Sequence, residues 1–260
     1  MDREAIVSDA LFSLQDRVAI VTGGAGQLGR EIVGGLEERG ARVAVFDVAA
    51  DRFRVDVTDR AAIEGATEEV VREWGVPHIL VNAAALDSPP NAPAEEVGPV
   101  ESYPESSFDE VMNVNVKGTF LSCQAIGARM AEAGRGSIVN ISSVYGMLSP
   151  VQDLYEFRRQ GGKEFFKPVA YSVSKSALYN LTRYLATYWA KSGVRVNTLT
   201  LAGVWNDQPQ QFLDAYTGRM PLGRMADVRE VVGPVIFLAS DASSYVTGSN
   251  VVADGGWSAW

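Results

Sequence analysis

Apolar residues recur along this chain with two spacings, and the alternation between them sets the architecture. Short, nearly continuous apolar runs read as buried strands: Arg17-Val18-Ala19-Ile20-Val21, Val43-Ala44-Val45-Phe46, Phe53-Arg54-Val55-Asp56-Val57, Ile79-Leu80-Val81-Asn82, Ser137-Ile138-Val139-Asn140-Ile141, Val194-Arg195-Val196-Asn197-Thr198-Leu199 and Asn250-Val251-Val252-Ala253. Helices are expected between them, over about 30–39 (stopped by Gly40), 59–74, 105–132, 168–191 and 228–239. Ala177, Leu178, Leu181 and Leu185 give the fourth of these a packed face. Only residues 48–52 separate the second and third strands. A crossover helix needs a dozen or more residues, so an extended or single-turn link is expected there. Three stretches lack either spacing: 86–104, rich in Pro and acids and read as a surface loop; 149–168; and 200–226, long and mobile-looking. The whole pattern predicts one α/β domain spanning residues 1–260. It has a mostly parallel, doubly wound seven-stranded sheet, helices on both faces and right-handed crossovers.

Composition narrows the class. Of 260 residues, 47% are hydrophobic and 21% charged, which supports a sizeable core and excludes a disordered chain. A net charge of −9 argues against nucleic acid or an anionic membrane as partner. The single cysteine, Cys123, allows no intrachain disulfide and suits a small buried hydrophobe in a reducing compartment. The first residues, Met1-Asp2-Arg3-Glu4, lack a basic region followed by an apolar run, and no apolar run nears the roughly 18 residues of a membrane span. A soluble, cytoplasmic protein is expected. With one histidine, His78, and no clustered acids, no metal site is expected, and His78 reads as structural.

The candidate chemistry lies at the ends of predicted strands. The first strand runs into Thr22-Gly23-Gly24-Ala25-Gly26-Gln27-Leu28-Gly29 and then a helix. Glycines let a backbone approach a pyrophosphate, and a helix N-terminus offers free N–H groups and a favourable dipole. Asp47 ends the second strand, about 20 residues past the turn, where an acid suits a ribose diol. Taken alone the glycines could mark an ordinary tight turn; the flanking elements and Asp47 favour a dinucleotide. Tyr171-Ser172-Val173-Ser174-Lys175 puts a phenol and an ammonium on one helix face. A neighbouring cation lowers a phenol from about 10 by roughly 1–3 units, into a range useful for proton transfer. By itself the spacing also fits a chance surface pair. Ser142-Ser143 ends the fifth strand upstream of it.

These residues, in this order from Arg17 to Gly256, resemble the short-chain dehydrogenase/reductase family in its compact single-domain branch, with a Rossmann-type fold. The resemblance implies Tyr171 as general acid/base, Lys175 tuning it and binding the nicotinamide ribose, Ser143 steadying the substrate oxygen, and Asn115 of Asn113-Val114-Asn115 supporting a proton relay. It implies cofactor contacts at Gly23, Gln27, Leu28, Gly29, Asp47, Asp56 (adenine edge), Val57, Asn82, Ala83, Tyr171, Lys175 and Val204 (backbone, nicotinamide amide). Trp205, beside Val204, is a candidate substrate contact. Asp47 followed by Val48-Ala49-Ala50 favours NAD over NADP, with Arg52 and Arg54 as the groups that could accommodate a 2′-phosphate. The tail, with Leu222-Gly223-Arg224-Met225-Ala226 and Asp254-Gly255-Gly256-Trp257, is similar to members acting on sugars, sugar acids and polyols. The family is usually tetrameric or dimeric, and Tyr184, Tyr188 and Trp189 would serve such a contact or pack in the core. An oxoacyl-type ketone reductase and a non-catalytic NAD-sensing protein are the alternatives.

Three motifs depart from the family pattern: Gln27 replaces the middle glycine, Asn82-Ala83-Ala84-Ala85 replaces Asn-Asn-Ala-Gly, and Leu201-Ala202 replaces Pro-Gly. Tyr171 follows Ser143 by 28 positions, roughly double the family spacing. The insertion at about 149–168 is anchored at both ends beside the site. It carries Arg158, Arg159, Lys163 and Lys167, a Gly161-Gly162 hinge, and the aromatics Tyr155, Phe157, Phe165 and Phe166. Loops of this length are often lids. The insertion is expected to be a lid whose Arg158 and Arg159 meet an anionic group on a sugar substrate; the alternative is a solvated surface excursion or an oligomer contact.

Overall fold

The computed structural model describes residues 10–88, 91–159 and 164–260. Among them seven strands form one sheet in the order β3-β2-β1-β4-β5-β6-β7, with every pairing parallel. They are β1 (Val18–Thr22), β2 (Arg42–Asp47), β3 (Phe53–Arg54), β4 (Ile79–Asn82), β5 (Gly136–Ser143), β6 (Val194–Leu201) and β7 (Asn250–Ala253). The helices are α1 (Gln27–Glu38), α2 (Arg60–Trp74), α3 (Glu105–Met112), α4 (Thr119–Glu132), α5 (Val144–Met147), α6 (Glu156–Arg159), α7 (Val169–Trp189), α8 (Gln210–Thr217) and α9 (Val232–Ala239). The chain winds outward from β1 to β3 and then returns to place β4 on the other side of β1. That reversal opens a crevice at the carboxyl ends of β1 and β4.

Alternation along each strand feeds two cores. Val18 and Ile20 pack with Ile63 and Val70 of α2, Ile126 and Met130 of α4, and Leu185 and Trp189 of α7. Ala19 and Val21 turn the other way, onto Ile32 and Leu36 of α1 and Val235 and Leu238 of α9. Both faces are therefore covered, which is why the strands read as unbroken apolar runs. Each fully buried Ile or Leu contributes about 1.5–3 kcal/mol, so the sheet is held mainly by these two layers. A polar ladder crosses the first layer. Asn82 donates to Asn140 at 2.8 Å, Asn140 donates to Thr182 at 2.9 Å, and Thr198 donates to Thr182 at 2.7 Å.

Several elements differ from the expectation. The helix expected over 105–132 is α3, a π-helical turn (Asn113–Gly118) and α4, so the axis shifts where Asn115 sits. The loop 86–104 contains two 3-10 turns, Ala94–Val97 and Val100–Ser102, and buries Glu96. The insertion is folded: a 3-10 turn (Gln152–Tyr155) leads into α6. Segment 200–226 contains α8, and β6 runs on to Leu201. The helix expected over 228–239 begins as a 3-10 turn, Val228–Val231. β3 keeps only two of its five expected residues, and 48–52 is the expected short link. Lys163 and the Gly161-Gly162 hinge lie outside the described residues, as does the segment Met1-Asp2-Arg3-Glu4.

Trp189 belongs to the core, whereas Tyr184 and Tyr188 stack on each other in solvent with ring centroids 6.2 Å apart. Among the described residues, no helix is long and apolar enough to cross a membrane, and no group of three or more His, Cys, Asp or Glu could hold a metal ion.

His78 joins two strands. Its ring Nδ1 accepts the Val18 amide at 3.1 Å, and its own amide donates to the Val18 carbonyl at 2.7 Å. Burial, aided by Arg135 and Arg17, pushes the imidazole down from 6.5 to about 4. The unfolded chain therefore takes up the proton first as pH falls. The stability that His78 contributes is complete above pH 6.5 and is lost as pH drops towards about 4. Denaturant midpoints between those limits should fall more steeply for the wild type than for His78→Gln, and parallel slopes would remove His78 as the cause.

Candidate active site

A cavity of about 800 Å³ lies at the carboxyl ends of β1, β2, β4, β5 and β6. One end is lined by the Gly-rich turn and Asp47, the other by Ser143, Tyr171 and Lys175.

The first end is built for a close approach. Gly23 has φ +67°, and a Cβ there would stand 2.6 Å from the Ala84 backbone. Glycine alone therefore allows the turn after β1 to lie against the strand end after β4. Ala83 and Ala84 fill the gap and donate to the Thr22 carbonyl and hydroxyl at 3.2 and 3.4 Å. α1 starts at Gly26 with no side-chain cap, which leaves its first N–H groups open to an anion. Asp47 is held rigidly: one carboxylate oxygen accepts the Ala25 amide at 3.1 Å and the other the Ala49 amide at 2.9 Å. Arg52 is turned away, paired with Glu69 and Glu73. Asp56 accepts the Thr58 amide and hydroxyl, both at 2.8 Å, and lines the cavity beside Val57.

The other end rests on α7. The Lys175 backbone is brought against α5, where a Cβ on Gly146 would meet it at 2.6 Å. Ser142 Oγ donates to the Lys175 carbonyl at 2.9 Å. Lys175 Nζ, 5.8 Å from the Tyr171 ring centroid, donates to the Ile141 carbonyl at 3.0 Å. Burial pushes this ammonium down to about 8, with Asp87 opposing. The expected depression of the Tyr171 phenol is not what the folded chain has. Burial pushes the phenol up, Asp87 pushes the same way, and only the Ser143 hydroxyl, a hydrogen-bond partner, pulls it down. Desolvation of the phenolate outweighs a lysine that is itself desolvated and aimed at a carbonyl.

Asn115 works from behind the wall. Its side chain accepts the Leu86 amide at 2.7 Å and donates to the Leu86 carbonyl at 2.8 Å and to Ser174 Oγ at 2.9 Å. It ties the loop after β4 to α7 through the π-helical turn.

The insertion forms a roof together with α8. Tyr155 packs on Phe165 and Phe212, Phe212 on Tyr216, and Tyr216 on Trp257, with ring centroids 4.4–5.6 Å apart. Tyr216 also accepts the Gly203 amide at 2.7 Å, which holds the strand end that carries Leu201-Ala202. Arg158 lines the cavity and stacks on Phe165, its guanidinium carbon 4.4 Å from the ring centroid. Arg159 does not line it; it holds the insertion together through Glu156, the Gln152 carbonyl and the Phe165 carbonyl.

Other expected residues also separate. Gly23, Gln27, Leu28, Gly29, Ala83 and Val204 line the cavity. The Val204 carbonyl is taken by the Gln208 amide at 2.9 Å. The Asn82 side chain faces the core, bonded to Asn140, so only its neighbours Ala83–Ala85 reach the cavity. The Trp205 ring lies outside, and its backbone carbonyl accepts Gln27 Nε2 at 2.8 Å. Asp87, Tyr145 and Tyr216 line the site without having been singled out. For Asp87 a signal existed, because an acid just past a strand end of a parallel sheet faces the ligand crevice. Tyr145 and Tyr216 carried none, because long-range packing places them.

The family model described as enoyl-(acyl carrier protein) reductase matches residues 23–258. D-threitol dehydrogenase of Mycolicibacterium smegmatis is 33% identical, covering 95% of this chain and 94% of its own. A short-chain dehydrogenase from Leptospira borgpetersenii with bound NAD+ superposes with a TM-score of 0.84 at 31% identity, over 99% of this chain and 98% of that one. A gluconate 5-dehydrogenase from Burkholderia cenocepacia, in complex with NADP and tartrate, gives a TM-score of 0.82 at 28% identity, over 96% and 98%.

The Gln27–Trp205 bond clasps the Gly-rich turn to the roof segment. One such bond contributes about 0.5–1.5 kcal/mol, so Gln27→Ala should speed amide exchange in 204–226 by up to about tenfold. Unchanged exchange there would mean that the clasp does not hold the roof.

Proposed function

The chain belongs to the short-chain dehydrogenase/reductase family, and we propose that it is an NAD-dependent dehydrogenase acting on a secondary alcohol of a sugar or sugar acid. The observation that carries this reading is one cavity with Asp47 at its nucleotide end and Ser143, Tyr171, Lys175 and a cationic roof at the other.

The residues fit a nicotinamide dinucleotide. The uncapped start of α1 suits a pyrophosphate, Asp47 a ribose diol, and Asp56 and Val57 an adenine edge. When bound, the nicotinamide supplies the hydride acceptor or donor. Asp47 supports NAD; Arg52 is paired away, and Arg54, opposite Asp47 in the β2–β3 register, is the arginine on which a 2′-phosphate would depend. Both cofactors occur among the relatives above, so the choice rests on Asp47 and on the pairing of Arg52 with Glu69 and Glu73.

The protein's part in the chemistry is proton transfer and positioning. Ser143 orients the substrate oxygen and Tyr171 takes or gives its proton. The Lys175 cation stabilises the phenolate that forms, and Asn115 keeps α7 in register with the loop after β4. Arg158 supports an acidic group on the substrate, since a planar fork of donors stacked on Phe165 matches a carboxylate. The tartrate-bound relative is consistent with that class. An acyl-chain reductase would need an open apolar channel where this roof stands, and a pure sensor has no use for an intact Ser143, Tyr171, Lys175 set. Exposed Tyr184 and Tyr188 on α7 support a homo-oligomer contact on that face, and the lone buried Cys123 suits the cytoplasm.

Three measurements test the reading. Like-charge contact costs several kcal/mol, so kcat/KM should favour NAD over NADP by at least about tenfold. A preference for NADP would overturn the role of Asp47. Tyr171→Phe should remove turnover and keep NADH binding; near-normal turnover would remove Tyr171 as acid/base. On a panel of gluconate, threitol, xylitol and glycerol, Arg158→Ala should raise KM for the acid by about tenfold or more, since a charged hydrogen bond contributes about 1.5–3 kcal/mol. A neutral polyol as best substrate, unaffected by Arg158→Ala, would defeat the sugar-acid assignment.

A further inference from the structure

Tyr171 has a cation on two sides. Lys175 follows it by four residues on α7. Lys167 precedes it by four, but α7 begins only at Val169, so Lys167 enters from the insertion. Its Nζ lies 5.3 Å from the Tyr171 ring centroid, as close as that of Lys175 at 5.8 Å. Lys167 does not act alone. Both Asp87 carboxylate oxygens stand 2.5 Å from its Nζ, and both residues line the cavity.

Each member is fixed from its own side. Asp87 follows Leu86, whose amide and carbonyl are both bonded to the Asn115 side chain. The Lys167 amide donates to Gln152 Oε1 at 2.9 Å, and its side chain is only 14% exposed, against 58% for Asp87. A carboxylate and an ammonium held this way form a charge-assisted pair whose geometry does not have to reorganise when a proton moves nearby.

We infer that Lys167 and Asp87 are a positioning pair for Tyr171, which sets the net charge that the phenol meets when it exchanges a proton. The inference rests on Tyr171 being the acid/base. A bare Asp87 would oppose the phenolate, and a bare Lys167 would favour it. Lys167 opposes the push of Asp87, so a buried tyrosine can work beside an acid that also faces the cavity. The upward push of Asp87 on the phenol agrees with this. The other groups facing the pair and the phenol are Lys175 from α7, Tyr145 from α5, Tyr155 and Arg158 from the insertion, Tyr216 from α8, and, from the loop after β4, Tyr103 and buried Glu96. None of them is altered by the substitutions, so their own titrations are common to the wild type and every variant.

The test is the pH dependence of kcat/KM for Lys167→Met, Asp87→Asn and the double variant. The assay uses NAD and whichever panel alcohol the wild type oxidises fastest, so a neutral polyol serves as well as a sugar acid. Lys167→Met should move the apparent pKa of the catalytic limb up, and Asp87→Asn should move it down, each by about half a unit to one unit. The double variant should return close to the wild type, and Lys167→Arg should stay there. Melting temperatures recorded alongside separate charge from tethering. A mere tether between the insertion and the β4 loop lowers the melting temperature and kcat/KM in both single variants and leaves the limb in place. Shifts of the same sign, no shift, or a rise in KM alone for Asp87→Asn overturn the proposal. Retained turnover in Tyr171→Phe would instead remove its premise, and is read separately at one pH.

Discussion

A lysine taken out of water governs the end of the cavity that holds Ser143 and Tyr171. Lys175 is 5% exposed and has one carbonyl, that of Ile141, for its ammonium. A buried cation is costly unless its surroundings compensate it. Here the compensation is built from backbone. α7 approaches β5 and α5 closely enough that Gly146 has no room for a side chain, and Ser142 fixes the helix at the Lys175 carbonyl. The same approach puts the Tyr171 phenol in a place where desolvation dominates its titration. Neither group is tuned by the other in isolation.

The nucleotide end and the roof are less independent than their distance along the chain suggests. Gln27 stands where the family pattern has a glycine, and its amide reaches the Trp205 carbonyl. Trp205 in turn donates to the Ala226 carbonyl, and Gly203 is held by Tyr216. Tyr216 stacks with Phe212, which meets Tyr155 of the insertion. A single run of contacts thus joins the Gly-rich turn to the aromatic roof of the cavity. Losing the middle glycine exchanges closer backbone approach for this connection.

The scaffold was largely legible because it is local. Strand runs, the Gly40 stop and the short 48–52 link each follow from a few neighbouring residues, and the structure has them. The resemblance supplied Ser143, Tyr171 and Lys175 as a set, and the cavity brings those three together. What was not legible depends on contacts far apart in sequence. The π-helical turn at Asn115 interrupts a helix whose apolar spacing continues through it. Arg158 and Arg159 are adjacent and chemically identical, yet one lines the cavity and the other bonds Glu156 and two carbonyls. Their difference is set by rotation about α6, which a segment this short does not reveal. The phenol was misread for a related reason: spacing shows which charge is near, and burial decides how much it counts.

The insertion is where this chain differs most from its family pattern, and its position limits what it can change. It follows α5, just past β5 and Ser143, and returns at α7, so it is tied at both ends to the wall that carries Ser143 and Tyr171. Its Tyr155 packs on Phe212 of α8, whose Tyr216 stacks on Trp257, and both segments also sit past strand ends. Variation there can alter charge, reach and closure over the substrate without disturbing the two apolar layers that hold the sheet. Lys167 and Arg158 are the cations that this route delivers, one beside the phenol with its carboxylate and one against an aromatic ring. A fold whose stability lies in the layers and whose chemistry lies at strand ends can take up such a segment at little cost to its core.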